Sequence, residues 1–156
     1  MNAIDRLLAI EEIKQLKARY FRCVDTQDAE GFGNVFSPDG VLDMRFVNDA
    51  PNLLGAGPAS SASTAVLEGR TAIIEAVKAV RGLWISAHHG HMPEIEFESD
   101  VRATGIWSME DFVVNVPGTP AFKIHGRGHY HEIYERLHDG WHIKYSKLTR
   151  LHLLLE

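Results

Sequence analysis

The segment His88-His89-Gly90-His91 places three of the chain's nine histidines within four residues, at the head of a strand-like stretch. A neutral imidazole near pH 7 serves as general base, general acid or metal ligand, and the partner brought to it decides which. A carboxylate that accepts one ring N–H fixes the tautomer and leaves the other nitrogen free to take a proton. Asp25, which closes the first helical pattern, is the leading carboxylate for that role. A metal reading competes with it, because His89-x-His91 followed by Glu96 approximates a ligand spacing and strand residues two apart share a face. Pro93 interrupts that strand and mainly helical sequence precedes it, so neither a metal nor a cofactor is expected.

The 156 residues, 45% of them hydrophobic, fit one globular domain over 1–156 with a single sizeable core. A net charge of −5 without a basic stripe argues against nucleic acid and against a polybasic membrane patch. The expected partners are an apolar small molecule and a second copy of the chain, as a homodimer. Cys23 is the one cysteine, so no internal disulfide forms, and within a helical pattern it reads as a small core residue. No apolar run has the length of a signal or membrane-spanning segment, and a cytoplasmic location is the expectation. There is no phosphate-binding glycine loop with its lysine, and no nucleophile elbow.

Apolar residues recur as Leu7, Ile10, Ile13, Leu16, Tyr20 and Val24, predicting an amphipathic helix over 4–24 that Asp25 ends. Asp28 is a candidate N-cap for a short helix through Phe36, which Ser37-Pro38-Asp39-Gly40 stops with turn chemistry. A strand follows over 41–46, and then 48–64, rich in Gly, Pro, Ala and Ser, forms a candidate lid. After a short strand at 66–68, Thr71 is placed to cap a third helix carrying Ile73, Ile74, Val77 and Val80, with Gly82 as its stop. Four long strands are predicted at 84–98, 101–116, 121–136 and 141–154, separated by Ser99-Asp100, Pro117-Gly118-Thr119-Pro120 and Asp139-Gly140. Helices followed by a meander predict an α+β fold, helices packed on one face of a curved sheet. Gly126 and Gly128 inside a strand read as a bend or a close backbone approach, and Trp141 as a structural anchor.

The order of Ile10-Glu11-Glu12-Ile13 through Asp25-Thr26-Gln27-Asp28, then Leu67-Glu68-Gly69-Arg70-Thr71-Ala72-Ile73, the 88–96 strand, and Gly128-His129-Tyr130-His131-Glu132 through Asp139-Gly140-Trp141 resembles the SnoaL-like group of the nuclear-transport-factor-two-like superfamily. The resemblance spans nearly the whole chain. It implies a cone-shaped α+β barrel in which three helices and a strongly bent mixed or antiparallel sheet enclose a pocket. Scytalone dehydratase and hexachlorocyclohexane dehydrochlorinase, similar in layout, pair an Asp at the end of the first long helix with a His on the strand after the third. Asp25 and His88 stand at those positions. The resemblance therefore implies that Asp25 orients His88 as a general base, for elimination or isomerisation of a polyketide, aromatic or steroid-like compound. Scytalone dehydratase has a further His on the following strand; this chain has none there, and Glu110 and Asp111 are the polar residues available.

Tyr20, one and a half turns before Asp25, is a candidate for holding a substrate oxygen, with core packing as its alternative. Trp107, Phe112 and His129 complete the candidate substrate contacts, and Trp84 and Met109 either join that wall or fill the core. Alternation places His125, Arg127, His129 and His131 on one strand face and Tyr130, Glu132 and Tyr134 on the other. Bulges reset such parity, so either face remains open as the pocket lining. A rival of another class is a non-catalytic ligand-binding or dimerisation module, since the fold does not fix function.

Overall fold

The computed structural model describes residues 1–45, 65–118 and 123–155, so the candidate lid at 48–64 lies outside the described residues. Helix α1 (Ala3–Asp25) starts at Asn2, whose side chain accepts the Asp5 N–H at 2.9 Å. Its buried stripe runs Ala9, Ile13, Leu16, Lys17, Tyr20 and Cys23. Leu7 was expected on this stripe and is 67% exposed, because it precedes Leu16 by two and a half turns and so faces the other way. Helix α2 (Ala29–Asn34) is capped by Asp28, whose carboxylate accepts the Gly31 N–H.

Helix α2 stops two residues short of Phe36 because strand β1 (Phe36–Asp43) begins there. The Ser37-Pro38-Asp39-Gly40 segment, expected as a turn, lies inside β1. A register irregularity between Phe36 and Val41 absorbs it, at the kind of position where a proline's missing N–H breaks no ladder. Strand β2 (Val66–Glu68) pairs with β1. Helix α3 (Arg70–Ala79) has Gly69, at φ +84°, as its N-cap, whereas Thr71, the expected cap, is exposed on the first turn. Only glycine adopts that left-handed conformation freely, and the turn is fixed by the Gly69 N–H donating to the Gly40 carbonyl at 2.8 Å.

Strands β3 (Trp84–Ser99), β4 (Arg102–Asn115), β5 (Lys123–Leu137) and β6 (Gly140–Leu155) form the expected antiparallel meander. Strand β1 adds to β6 in parallel, giving a mixed sheet ordered β2-β1-β6-β5-β4-β3. The sheet is open, with β2 and β3 at its edges. Helix α1 packs against both β3 and β6, which β4 and β5 separate, so the sheet bends around the helix into a cone-like α+β layout. Ala103, Trp107, Met109, Tyr130, Tyr134, Ile143 and Leu148 of the inner face meet Ile13, Leu16, Tyr20, Phe32 and Ile73 of the helices. Trp141 is buried edge-on against Phe97, and Cys23 is buried and free. No helix among the described residues is long and apolar enough to cross a membrane.

One charged residue sits within the apolar stripe of α1. The Lys17 ammonium is fully buried, 2.6 Å from Glu132 on β5, and lies over the rings of Tyr130 and Tyr20 at 3.5 and 3.9 Å. Burial lowers the Lys17 amine to about 8, against the opposing pull of Glu132. The carboxylate also accepts hydrogen bonds from Ser146 at 2.8 Å and from Tyr134, whose hydroxyl in turn accepts the Trp107 indole N–H at 2.7 Å. Every member is satisfied, the condition under which buried charge is tolerated. Lys17→Met, which strands Glu132, is expected to lower unfolding free energy by about 3–5 kcal/mol in urea titrations. Lys17→Met/Glu132→Gln is expected to recover most of that loss.

Candidate active site

Asp25 is the last residue of α1, and its carboxylate meets the open edge of β3 with three donors. The His88 backbone N–H reaches Oδ2 at 2.8 Å, the Ser86 hydroxyl reaches Oδ1 at 2.8 Å, and His88 Nδ1 lies 2.6 Å from Oδ1. Ser86 and His88 share a strand face, so a residue at the helix end contacts both. Gln27, just beyond the helix at φ +55°, adds a second tie: its amide donates to the Trp84 carbonyl and accepts the Gly82 N–H, both at 2.7 Å.

Burial pushes the Asp25 carboxyl upward, but the hydrogen bonds from the His88 ring and backbone and from Ser86 outweigh it and hold it below its ordinary range. With Asp25 ionised, Nδ1–H of His88 is the donor to it, and Nε2 is the ring nitrogen not committed to the carboxylate. Asp111 Oδ2 of β4 lies 3.8 Å from Nε2. Asp111 is itself held by both terminal nitrogens of Arg150 of β6 at 2.8 Å, each partner 3% exposed.

Glycine makes that ion pair possible. Asp111 pairs across the sheet with Gly126, where a Cβ would lie 2.3 Å from an Arg150 nitrogen and 2.4 Å from an Asp111 oxygen. The side chain of Arg150, which pairs with Gly128, thus passes over β5 to reach β4. A register shift at Arg127 and Gly128, of the kind anticipated for this Gly-x-Gly, lets Arg150 point inward.

Tyr20 is buried on the same inner side, ringed by Phe21, Phe32, Phe36 and Tyr130. Burial, reinforced by the charge of Glu132, raises its hydroxyl far above the ordinary value, while a hydrogen bond with Tyr130 acts in the opposite sense. Trp107 also faces inward, but its indole N–H is committed to Tyr134. Two candidate contacts require correction, because Phe112 and His129 lie on the outer face, away from His88. Inward Asp111 forces Phe112 outward, where it stacks on His125 at 4.1 Å, and inward Tyr130 does the same to its neighbour His129. His89 and His91 are exposed, and among the described residues no group of three His, Cys, Asp or Glu side chains could hold a metal ion.

A groove of about 540 Å³ lies elsewhere, between α1, α2 and the β5–β6 turn, over Leu16, Cys23, Val35 and Trp141. It includes neither Asp25 nor His88. Ser86, Gln27 and Arg150 belong to the site region without having been anticipated. For Ser86 the available signal was its position two residues before His88; for Gln27 and Arg150, which depend on a turn and a bulge, no periodic signal existed.

The SnoaL-like domain family matches residues 5–147. The chain belongs to the SnoaL-like domain family. Solved structures share its fold at low identity. Hexachlorocyclohexane dehydrochlorinase LinA-type3 from Novosphingobium barchaimii is 17% identical, with 99% of this chain and 94% of that chain covered and a TM-score of 0.77. Rv3472 from Mycobacterium tuberculosis is 23% identical over 92% of this chain and 77% of that one, with a TM-score of 0.70. An NTF2-like protein with a cystatin-like fold from Novosphingobium aromaticivorans is 24% identical over 94% and 84%, with a TM-score of 0.67. In this SnoaL-like domain the lowered Asp25 carboxyl contributes stability above its unfolded value near 3.8 and loses it as pH falls through the lower folded value. Asp25→Asn is therefore expected to be less stable than wild type at pH 7, with the gap narrowing below about pH 4 in urea titrations read across pH.

Proposed function

We propose that the protein is a cofactor-independent lyase or isomerase in which His88 Nε2 removes a proton from carbon in an apolar small molecule. The observation that carries this is the three-donor seat of Asp25, which commits Nδ1 of His88 to the carboxylate and leaves Nε2 as the ring nitrogen not tied to it. The C–H proton passes to Nε2 and its electron pair stays on the substrate. From there the pair either expels a leaving group from the neighbouring carbon or spreads into an adjacent carbonyl and is reprotonated elsewhere. The imidazolium formed is stabilised by Asp25, which remains a carboxylate throughout. The dehydrochlorinase among the fold relatives performs an elimination by name, which fits the first branch. Tyr20 and Trp107 supply inward aromatic surface.

Incubation in D₂O with a panel of apolar ketones and compounds bearing a leaving group next to an acidic C–H tests this, with deuterium uptake and product read by mass spectrometry. His88→Asn and Asp25→Asn are expected to bind the active compound as wild type does and to lose about 10²–10⁴-fold in rate. Binding without exchange or product from any compound, in wild type as in the variants, replaces the enzyme with a ligand-binding module.

A further inference from the structure

We infer that Asp111, anchored by Arg150, is a positioning residue for His88, a second carboxylate set at the free ring nitrogen to hold the imidazolium that proton abstraction creates. This rests on the reading of His88 as the base. At 3.8 Å, Asp111 Oδ2 stands close to Nε2 but too far for a hydrogen bond. Once Nε2 has taken the substrate proton, it becomes an N–H donor with that oxygen within 3.8 Å. Closing the gap by about 1 Å gives a charge-assisted hydrogen bond. Asp111 accepts no proton in this step; the proton rests on Nε2 and the electron pair on the substrate.

Charge accounting points the same way. Among the described residues, the charged groups around the ring are Asp25 of α1, Asp111 of β4 and Arg150 of β6, with the buried hydroxyls of Tyr20 on α1 and Tyr130 on β5 beside the last two. Both tyrosines stay neutral because burial raises their hydroxyls. With a neutral imidazole, two carboxylates and one guanidinium sum to one negative charge; with an imidazolium the sum is zero. Asp111 and Arg150 are each 3% exposed, so water screens little of this. The guanidinium donates to both Asp111 oxygens at 2.8 Å, and the missing Cβ at Gly126 lets the pair form.

The two halves of one ion pair thus make opposite predictions for the ring, which a purely structural bridge does not. In the full chain labelled with ¹⁵N-histidine and free of substrate, the protonation of the His88 ring nitrogens is followed by NMR across pH, with His88→Asn supplying the assignment. Asp111→Asn is expected to lower the pH of half-protonation by about one unit, a tenfold loss of proton affinity, and Arg150→Gln to raise it by a similar amount. Shifts of the same sign in both variants, or shifts below about 0.3 unit in both, overturn the inference. If Asp111→Asn does not fold, Arg150→Gln alone decides by the sign of its shift, upward supporting the inference and downward or absent overturning it. The readout needs no turnover, so opposite shifts in a protein with no activity on any compound would sink the enzymatic reading and leave the Asp111–His88 coupling standing.

Discussion

The open edge of β3 is the constraint from which the site grows. An edge strand presents backbone N–H and C=O groups with no sheet partner, and proteins must cover or blunt them. Here the end of α1 does so. Asp25 takes the outward N–H of His88, and Gln27 takes the carbonyl of Trp84 while accepting the N–H of Gly82. The same carboxylate that caps the edge then has a second oxygen free for the Ser86 hydroxyl and the His88 ring. Covering an edge and orienting an imidazole are thus one arrangement, and the ring position follows from the backbone to which it is tied.

The interior contains two charge clusters on either side of the Tyr20–Tyr130 pair, and they differ in balance. Lys17 and Glu132 form a neutral pair whose remaining hydrogen-bonding capacity is taken up by Ser146 and Tyr134, with aromatic faces over the ammonium. Such a pair fixes how α1 sits on β5 because neither charge is tolerable alone. Among the described residues, Asp25, Asp111 and Arg150 set two carboxylates and one guanidinium around the His88 ring. The tyrosines between them feel the charges of both clusters, Glu132 on one side and Asp111 and Arg150 on the other.

What the sequence makes legible here is periodic, and what it hides is not. The helices, the four long strands and the turn at Asp139-Gly140 follow from 3.6- and two-residue repeats and from turn chemistry, and they stand within a few residues of expectation. Asp25 and His88 were legible through resemblance, since nothing in their own spacing ties residues 63 apart. The failures fall where geometry breaks a period. Pro38 and Gly40 read as a turn but sit in a bulged strand, and a glycine displaced Thr71 as the cap of α3. The face of His129 was open until the inward placement of Tyr130 settled parity, and Phe112, read as apolar wall or core, is turned outward by the inward placement of Asp111. Lys17 was the most readable of the residues that went unremarked. It stands one residue after Leu16 and three before Tyr20, a charge on an apolar stripe that needs a buried counter-charge.

The room for these side chains comes from atoms that are absent. On the inner face of the sheet a Cβ at Gly90 would lie 2.5 Å from the Phe21 ring, at Gly105 2.8 Å from Tyr134, and at Gly126 2.3 Å from Arg150. In an antiparallel sheet with one covered face, inward positions ordinarily carry the apolar bulk of the core. Each of these three instead gives up its own side chain so that a larger one from another element can lie flat against the backbone: Phe21 from α1 beside His88, Tyr134 over β4, Arg150 across β5. A glycine inside a strand weakens it through entropy and lost packing. The cost is tolerable because the displaced volume is refilled by an aromatic ring or a paired guanidinium, groups that bury more surface or satisfy more hydrogen bonds than the residue forgone. The same exchange explains why Gly126 stands directly opposite Asp111: a Cβ there would collide with both the β6 arginine and the β4 carboxylate, and so disturb the pair that lies beside Nε2 of His88.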